Sequence, residues 1–432
     1  MHFFYDQLCE ACARLNYVKR LQTADLAGRV AVLTGARVKI GFHTGLKLLR
    51  CGATLVASTR FPYDCSLRYA AEPDFETFKH RLHVIGLDLR DVVSVEAFAE
   101  YMRTSFGTVD ILINNACQTV RRPAAYYSHL VKDEVRYIRG LIHGKTQESP
   151  TSVAVQPLLA ANATFEATRR ARLLASSLPA LASSRVEMGT EPGCELVASG
   201  ARELSDALNH GLVEGDEARS AAAWGDAQGG LQHSVSMSTV MSQLALLPED
   251  SACDALPKGA RDVNGQQVDL RSTNSWLLKM EEVSTPELIE VMFVNAVGPF
   301  VLNSRLQPLM SAGPPRDRYI INVSAMEGKF YRYKTPNHPH TNMAKAAVNM
   351  LTRTSSEALS EQRIFMNAVD TGWINDENPL DKASKIAERH NFQTPIDEID
   401  AAARILDPVL NGVNTGENVY GKFLKDYLPT EW

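Results

Sequence analysis

The stretch that decides the fold is RVAVLTGARVKIG, residues 29–41. Its first six residues are largely apolar and predict a short buried strand, which ends at a turn formed by Thr34 and Gly35. The residues that follow place apolar side chains at helical spacing, and Gly52 is suited to cap the carboxyl end of this helix. A second apolar run, ATLVAST at 53–59, completes a strand–helix–strand unit, which is typical of a parallel sheet.

The same alternation continues on both sides of a long central gap. Before the gap, further strands are predicted at 81–89 and 109–116, with a helix at 94–106 that has Ser94 as its N-cap. After the gap, the pattern predicts a helix at 285–310, capped by Thr285 or Ser284, a strand at 318–325, a helix at 341–362, a strand at 364–369 and a last strand at 418–424. The sequence therefore predicts an α/β fold with a Rossmann-type, doubly wound parallel sheet.

The central gap, residues 121–284, has weak periodicity and is dominated by Ala, Ser, Gly and Arg. Such a segment buries little apolar area to offset its ordering entropy. We expect a long, partly disordered insertion after the fourth strand, helical around 164–177 and otherwise loose. The main domain then comprises 25–120 and 285–432, preceded by an N-terminal extension at 1–24, and the polar segment 374–394 is expected to form a lid.

Composition excludes several classes of function. The chain has 432 residues and a net charge of −5, which gives no general attraction to nucleic acid. No run approaches the roughly 18 apolar residues of a membrane span, and the N-terminal segment, with Asp6 and Glu10, lacks a signal-peptide pattern. We therefore expect a cytoplasmic protein without a membrane span.

The seven cysteines are scattered and odd in number, which does not indicate a disulfide framework. Cys9 and Cys12 form a Cys-x-x-Cys pair, which is either half of a structural zinc site or two reduced thiols. No second pair stands at a familiar spacing, so no bound metal is expected.

The turn between the first strand and its helix is the first candidate site. A helix that begins at the carboxyl end of a first strand presents free backbone N–H groups and a positive dipole end, which suit a pyrophosphate. The strand before the glycines and the helix after them favour a dinucleotide site over a plain strand-to-helix turn, which is the alternative.

Five blocks of the sequence together resemble the short-chain dehydrogenase/reductase family. Thr34-Gly35-x-x-x-Lys39-x-Gly41 is similar to the family's Thr-Gly-x-x-x-Gly-x-Gly, with Lys39 at the middle glycine. The other blocks are Asp88-Leu89 after the third strand, Asn114-Asn115-Ala116-Cys117 after the fourth with Cys117 replacing Gly, Asn295 and Lys345 on the long helices, and Val369-Asp370-Thr371-Gly372-Trp373-Ile374 with Thr371 replacing Pro. The resemblance covers about 28–120 and 285–375.

This resemblance implies a nicotinamide dinucleotide cofactor. The residues it assigns to the cofactor are Gly35, Arg37, Lys39, Ile40, Gly41, Arg60, Asp88, Leu89, Asn115, Ala116, Lys345, Thr371, Gly372 and Ile374. Arg60 follows the second strand, where NAD-specific relatives usually carry an acid, and two more basic residues lie in the glycine loop. Because a 2′-phosphate requires cations, we expect NADP rather than NAD. The alternative for Arg60 is an ordinary solvated arginine.

The catalytic set that the resemblance implies is incomplete. The family uses Ser, Tyr, Lys and Asn, and Asn295 and Lys345 occupy the last two positions. The tyrosine position, four residues before the lysine, is Thr341, and the serine position is Ala325, with Ser324 one residue earlier. A threonine hydroxyl is a poor proton relay at neutral pH. The loop after the fifth strand supplies Tyr331, Tyr333, His338 and His340 as possible substitutes, of which His340 is the preferred candidate, and the alternative is that all four are ordinary loop residues.

Two functions follow from this resemblance. The first is an NADP-dependent oxidoreductase that acts on a small-molecule carbonyl or alcohol and uses a relocated proton donor. The second is a dinucleotide-binding pseudoenzyme that acts as a sensor or an interaction module. A homodimer through the helix pair common in the family is possible, although the insertion could hinder it.

Overall fold

The computed structural model describes residues 2–142, 150–182, 235–251, 254–331, 333–374, 377–380, 382 and 394–432. Most of the expected lid at 374–394 lies outside the described residues. The strands are β1 Val30–Thr34, β2 Thr54–Thr59, β3 Leu82–Gly86, β4 Ile111–Asn114, β5 Arg318–Ser324, β6 Ile364–Asp370, β7 Phe423–Lys425 and β8 Leu428–Thr430. They form one sheet in the order β3-β2-β1-β4-β5-β6-β7-β8, in which all neighbours are parallel except β7 and β8.

The helices of the described part are α1 Glu10–Leu21, α2 Lys39–Arg50, α3 Pro62–Ala70, α4 Phe75–Phe78, α5 Val92–Ser105, α6 Ser128–Ile142, α7 Pro150–Ala182, α8 Met237–Met241, α9 Thr285–Met292, α10 Gly298–Ala312, α11 Pro339–Ser360 and α12 Glu398–Thr415. A π-helical turn, Phe293–Val297, joins α9 to α10. The predicted Rossmann-type α/β fold is confirmed. The strand order reverses between β1 and β4, and in such sheets ligands bind in the crevice at the carboxyl ends of the strands.

Apolar side chains cover both faces of the sheet. One core packs Leu33 and Leu55 against α2 and α12, and includes Leu406 of α12. The other packs Leu112 and its neighbours against α5 and α10, where Leu302 is fully buried. Strands buried on both faces explain why the sequence shows continuous apolar runs rather than strict alternation.

The described parts of the insertion contain more regular structure than its composition predicts. The expectation that it is loose outside 164–177 is wrong for α6 and for the first half of α7. Helix α7 crosses the edge of the sheet, because Leu158 joins one core and the fully buried Phe165 joins the other. The Asn162 side-chain oxygen accepts a hydrogen bond of 2.7 Å from the backbone N–H of Gly86 at the end of β3. The sequence pattern missed this because apolar residues such as Ala160 and Ala163 also lie on the exposed side of the helix and obscure the helical spacing of its buried residues, Val155, Leu158, Ala161 and Phe165.

Two helix starts test the predicted caps. Ser284 caps α9, since its hydroxyl accepts from the Glu287 backbone N–H at 3.3 Å. The prediction of Ser94 as the cap of α5 is wrong, because Asp91 accepts from the Ser94 N–H and the helix begins three residues earlier than expected. Both are short polar side chains of the kind that satisfy free N–H groups at a helix start.

The N-terminal extension is attached to the domain by polar contacts with α12. Arg20 pairs with Asp397 at 2.6 Å and with Asp400 at 3.0 Å, and the Tyr5 hydroxyl donates to Asp400 at 2.5 Å. Arg404 of α12 in turn donates to the carbonyl of Thr371, at the carboxyl end of β6. The extension therefore supports one wall of the sheet's carboxyl edge.

One helical stretch, Thr285–Ala312, is long and apolar enough to cross a membrane by length and composition alone. Its apolar residues include Leu302, Leu306 and Met310, which are buried against the sheet. Packing in the core accounts for this hydropathy.

Candidate functional site

A continuous cleft of about 840 Å³ runs along the carboxyl ends of the parallel strands. All fourteen residues that the sequence assigns to the cofactor line it, from the glycine loop after β1 to the segment after β6. This agreement has a simple cause, because the carboxyl ends of parallel strands meet at one edge of a sheet. Their individual roles stay predictions.

The glycine loop brings the start of α2 to the cleft. Gly35 has φ +69°, and a Cβ on Gly41 would lie 2.0 Å from the carbonyl oxygen of Gly35, so the loop and helix approach too closely for a side chain there. Asn115 donates to the carbonyls of Thr34 and Gly35 and fixes this loop to β4. The backbone at the first turn of α2 is thus open to a pyrophosphate, which fits a dinucleotide.

Lys39 departs from the glycine motif at a strained position. Its φ is +52°, a left-handed conformation that glycine adopts without cost and lysine does not. The chain keeps the loop's shape without the glycine, and it places an ammonium group beside the cleft.

Arg37 is committed to protein partners. Its guanidinium lies 2.7 Å from Asp64 and donates to Gln266 of the insertion, also at 2.7 Å. Burial raises the pKa of Asp64, but Arg37 and then Arg68 outweigh it and hold that pKa below its usual value. Arg37 therefore lines the cleft with its positive charge already neutralised by Asp64.

Arg60 is different. Its guanidinium donates to the Tyr127 hydroxyl at 2.9 Å and stacks 4.4 Å from the centre of that ring. Burial alone would raise the pKa of Tyr127, yet the Arg60 charge outweighs burial and lowers that pKa. Within the described residues no carboxylate forms an ion pair with Arg60, whereas neighbouring Arg90, Arg121 and Arg122 each have one. At the end of the cleft where Lys39 also lies, Arg60 thus adds a guanidinium without an ion-pair partner in the described part of the chain.

Asp88 is also engaged by the protein. Arg90 binds its carboxylate at 2.7 Å through a guanidinium nitrogen and at 2.9 Å through its backbone N–H. Burial raises the pKa of Asp88, but the Arg90 charge outweighs it and the pKa is lowered. Asp88 is 2% exposed and its oxygens already accept hydrogen bonds from Arg90, so the predicted contact with adenine would have to form in addition to these bonds.

At the other end of the cleft, α11 faces the end of β5. Lys345 is 5% exposed, and its Nζ donates to the carbonyl of Val323 at 2.9 Å. The Ser324 hydroxyl donates to the side-chain oxygen of Asn349 at 2.6 Å. The hydroxyl of Thr341, one turn before Lys345, is buried without a hydrogen-bond partner among the described residues.

An ion pair closes the same end. Lys425 Nζ lies 2.9 Å from Asp370 Oδ2, while Asp370 Oδ1 accepts from the Gly372 N–H at 2.9 Å. Both side chains line the cleft. Asp370 lies within the motif at 369–374, where the resemblance implies no role for it, and no local sequence pattern identifies Lys425.

The insertion contributes residues that sequence reasoning did not assign. The part of the cleft beside the glycine loop is lined by Tyr126, Tyr127 and Gln266. Another part of the same cleft is lined by Trp276. They come from a segment without a recognisable motif, so no sequence signal identified them.

Sequence comparison assigns the chain. Residues 29–136 match the family profile described as short chain dehydrogenase, and residues 274–410 match the profile described as Enoyl-(Acyl carrier protein) reductase. The chain belongs to the short-chain dehydrogenase/reductase family. The two matched segments lie on either side of the insertion and overlap its ends at 121–136 and 274–284.

Individual relatives of the family differ in how much they match. An uncharacterised protein of Acanthamoeba polyphaga mimivirus is 28% identical over 422 residues, which is 95% of this chain and 68% of that protein. Retinol dehydrogenase 13 of Homo sapiens is 36% identical over 95 residues, which is 22% of this chain and only 28% of that protein. A short chain dehydrogenase from Burkholderia cenocepacia, solved in complex with NADP, is 13% identical with a TM-score of 0.47, and the match covers 93% and 96% of the two chains.

The family's catalytic asparagine position has a structural role here. Asn295 lies in the π-helical turn and does not line the cleft. Its amide donates to the carbonyl of Gln118 at 2.9 Å and its oxygen accepts from the Gln118 N–H at 2.8 Å. Asn295 therefore fixes the chain after β4, next to Cys117 in the cleft wall.

The substitutes proposed for the family's tyrosine do not reach the cleft. His340 is 1% exposed and lies 3.6 Å from Glu287, between α11 and α9. Tyr333 is 91% exposed, and His338 stacks on Trp276 with 3.8 Å between ring centres. None of the three lines the cleft, and neither does Tyr331, so the structure brings none of the four loop candidates to the cleft wall beside Lys345.

The reason for the position of His340 is helical phase. Thr341 and Lys345 are four residues apart and share one face of α11, whereas His340 is one residue earlier, about 100° around the helix. Burial raises the pKa of Glu287, but the neighbouring His340 side chain outweighs it and the pKa is lowered. His340 is therefore a packing residue with an acidic neighbour.

Proposed function

We propose that the chain is an NADP-dependent oxidoreductase that acts on a carbonyl or alcohol substrate. The observation that carries the proposal is the continuous cleft that joins the glycine loop and Arg60 at one end to Lys345 at the other. Its volume lies within the range of pockets that bind small molecules and cofactors. Family membership supports the reaction class, and the identity of the substrate is left open.

The preference for NADP rests on Arg60. A 2′-phosphate is bound by guanidinium groups whose charge is not already neutralised. Arg37 is paired with Asp64, but Arg60 has only a tyrosine partner among the residues described. Arg60 would therefore bind the phosphate, and Tyr127 would hold its guanidinium in place.

The chain's own residues divide the remaining tasks. The first turn of α2 would bind the pyrophosphate with backbone N–H groups. Lys345 would bind the nicotinamide ribose, and the backbone of Thr371 and Gly372 would close over the ring. When bound, the dinucleotide supplies or accepts a hydride, while the cleft wall keeps water from the reacting atoms.

The test combines binding with turnover. The full chain is titrated with NADPH and with NADH, and NADPH oxidation is then followed with a broad panel of aldehydes and ketones. Tighter binding of NADPH together with turnover of one compound class supports the proposal. Absence of binding to either dinucleotide contradicts it.

A second candidate is a catalytically inactive dinucleotide-binding protein that acts as a sensor or interaction module. The observation that favours it is Thr341 in the tyrosine position, with Tyr333 and His340 turned away from the cleft. This candidate predicts tight NADPH binding and no turnover. The double change Ala325→Ser with Thr341→Tyr should then restore slow reduction, since general acid–base catalysis contributes about 10²–10⁴-fold.

We also infer a homodimer. Large apolar side chains are exposed on neighbouring helices, with Phe300 of α10 at 57% and Met343 and Met350 of α11 at 55% and 56%. Apolar groups in such a position are typical of protein–protein contacts. Light scattering after gel filtration should give twice the chain mass, and Phe300→Glu should shift it to the monomer.

A further inference from the structure

Three residues at the carboxyl edge of the sheet stand in one row. Ser324 of β5 is in register with Asp370 of β6, which is in register with Lys425 of β7. Neighbouring strands lie about 4.8 Å apart, so the row spans about 10 Å between its outer Cα atoms. All three residues line the cleft.

The row lies on the same face of the sheet as Lys345. Ser324 bonds to Asn349 of α11, one turn beyond Lys345. The residues that precede the row on β6 and β7, Val369 and Leu424, belong to the core on the opposite face, as alternation along a strand requires. Asp370 and Lys425 therefore point toward the side where the family's proton transfer takes place.

Asp370 holds the ammonium group of Lys425 in a defined position. The Asp370 side chain is 4% exposed and is bound from two sides, by Lys425 at 2.9 Å and by the Gly372 N–H at 2.9 Å. The Lys425 side chain is 27% exposed. An ammonium group has three N–H donors, so two remain for other acceptors when one is bound to Asp370.

An ammonium group is the closest chemical substitute for a phenol in this setting. The pKa values of free lysine and tyrosine side chains are both about 10, whereas an aliphatic hydroxyl is far less acidic. At this end of the cleft Ser324 donates its one hydroxyl hydrogen to Asn349, and Lys345, which donates to Val323, is assigned by the proposed function to the nicotinamide ribose. Lys425 lies in the row beyond them, with a carboxylate that orients it.

We propose that Lys425 is the proton donor of this site and that Asp370 is its positioning residue. The inference rests on the proposed oxidoreductase function. NADPH, when bound, supplies the hydride to the carbonyl carbon. The carbonyl oxygen takes a proton from Lys425 Nζ, the N–H bond breaks, and its electron pair stays on nitrogen as a neutral amine. The products are the alcohol and NADP⁺, and solvent at the exposed part of Lys425 returns the proton.

The test uses Lys425→Met, which keeps an unbranched side chain of similar length and removes the ammonium. With the carbonyl compound found in the panel, kcat should fall by about 100-fold or more, while the Kd for NADPH stays within about twofold. The matched control is Lys422→Met, an exposed lysine three residues earlier that does not line the cleft, which should retain the wild-type kcat. Asp370→Asn should lower kcat to an intermediate value.

Two further measurements separate chemistry from structural damage. Ethylamine added to Lys425→Ala should restore turnover in a saturable way, which a purely structural role would not allow. In the wild type, NADPH should protect Lys425 from acetic anhydride and leave the labelling of Lys422 unchanged. The double variant Asp370→Asn with Lys425→Met, which removes the unpaired acid, should fold normally and remain inactive.

The outcomes distinguish this inference from the function on which it rests. If Lys425→Met has the same kcat as the wild type, or if the Asp370→Asn, Lys425→Met double variant recovers activity, Lys425 is not the proton donor. Either result leaves the oxidoreductase function unaffected. A wild type that binds NADPH but reduces no compound in the panel overturns the proposed function, and the proton donor with it.

Discussion

Replacement of Arg60 by alanine should change the choice of cofactor. The guanidinium of Arg60 has Tyr127 as its hydrogen-bond partner and no ion-pair partner among the described residues, so it is available to a 2′-phosphate. Loss of one charge-assisted contact costs roughly 1.5–3 kcal/mol, which is about a 10- to 150-fold rise in the Kd for NADPH. NADH lacks the phosphate, and its Kd should stay nearly unchanged. Fluorescence titration of the full chain with both cofactors measures this difference.

Arg37→Ala is the comparison variant. Because Asp64 and Gln266 already bind Arg37, its removal should change the preference between cofactors by less than about threefold and lower the stability instead. The Arg60→Ala effect should also shrink as salt is added, since partly exposed charges are screened. Equal weakening of NADPH and NADH in Arg60→Ala would refute the assignment of Arg60 to the phosphate.

Three further predictions concern stability. Burial raises the pKa of Glu134 to about 8, so the contribution of Glu134 to stability is fully present below about pH 4.5, where its carboxyl is protonated in both the folded and the unfolded state, and falls as the pH rises through about 8. Glu134→Gln should flatten that fall in melting curves recorded from pH 5 to 9. His340→Ala should destabilise the fold by about 1–3 kcal/mol in urea unfolding and spare NADPH affinity, because His340 packs beside Glu287 outside the cleft. Phe165→Ala should cost about 3–5 kcal/mol, whereas a loosely attached insertion would show almost no change.

The cleft-lining residues that belong to the family motifs were predictable because contiguous stretches of sequence encode them. Gly35 and Asn115 each follow a strand directly, and a strand's carboxyl end has a fixed place in a parallel sheet. Thr341 and Lys345 share a helical face for the same local reason. Helical phase also places His340 on a different face of α11 from Thr341 and Lys345. The choice of His340 as a substitute proton donor therefore conflicts with the sequence itself.

Other features depend on contacts between distant parts of the chain. Arg37 is separated by 229 residues from Gln266, and no periodicity identifies such a partner. Asp88 was assigned to adenine from its position, while its engagement by Arg90 depends on how a side chain folds back. Helix α7 was underestimated because alanines lie on its exposed side as well as among the residues that join the two cores, which are Leu158 in one core and Ala161 and Phe165 in the other, and this weakens the amphipathic signal.

The position of α7 has a consequence for the solubility of the protein. β3 is the outermost strand on its side of the sheet, and the free N–H and C=O groups of such a strand can recruit strands from other molecules. Asn162 occupies the N–H of Gly86, and a Cβ at Gly86 would lie only 2.1 Å from the Ser236 hydroxyl, so the insertion covers this end of the strand from two directions. Deletion of the insertion would expose the unpaired N–H and C=O groups of β3. The shortened chain should therefore aggregate through intermolecular strand pairing.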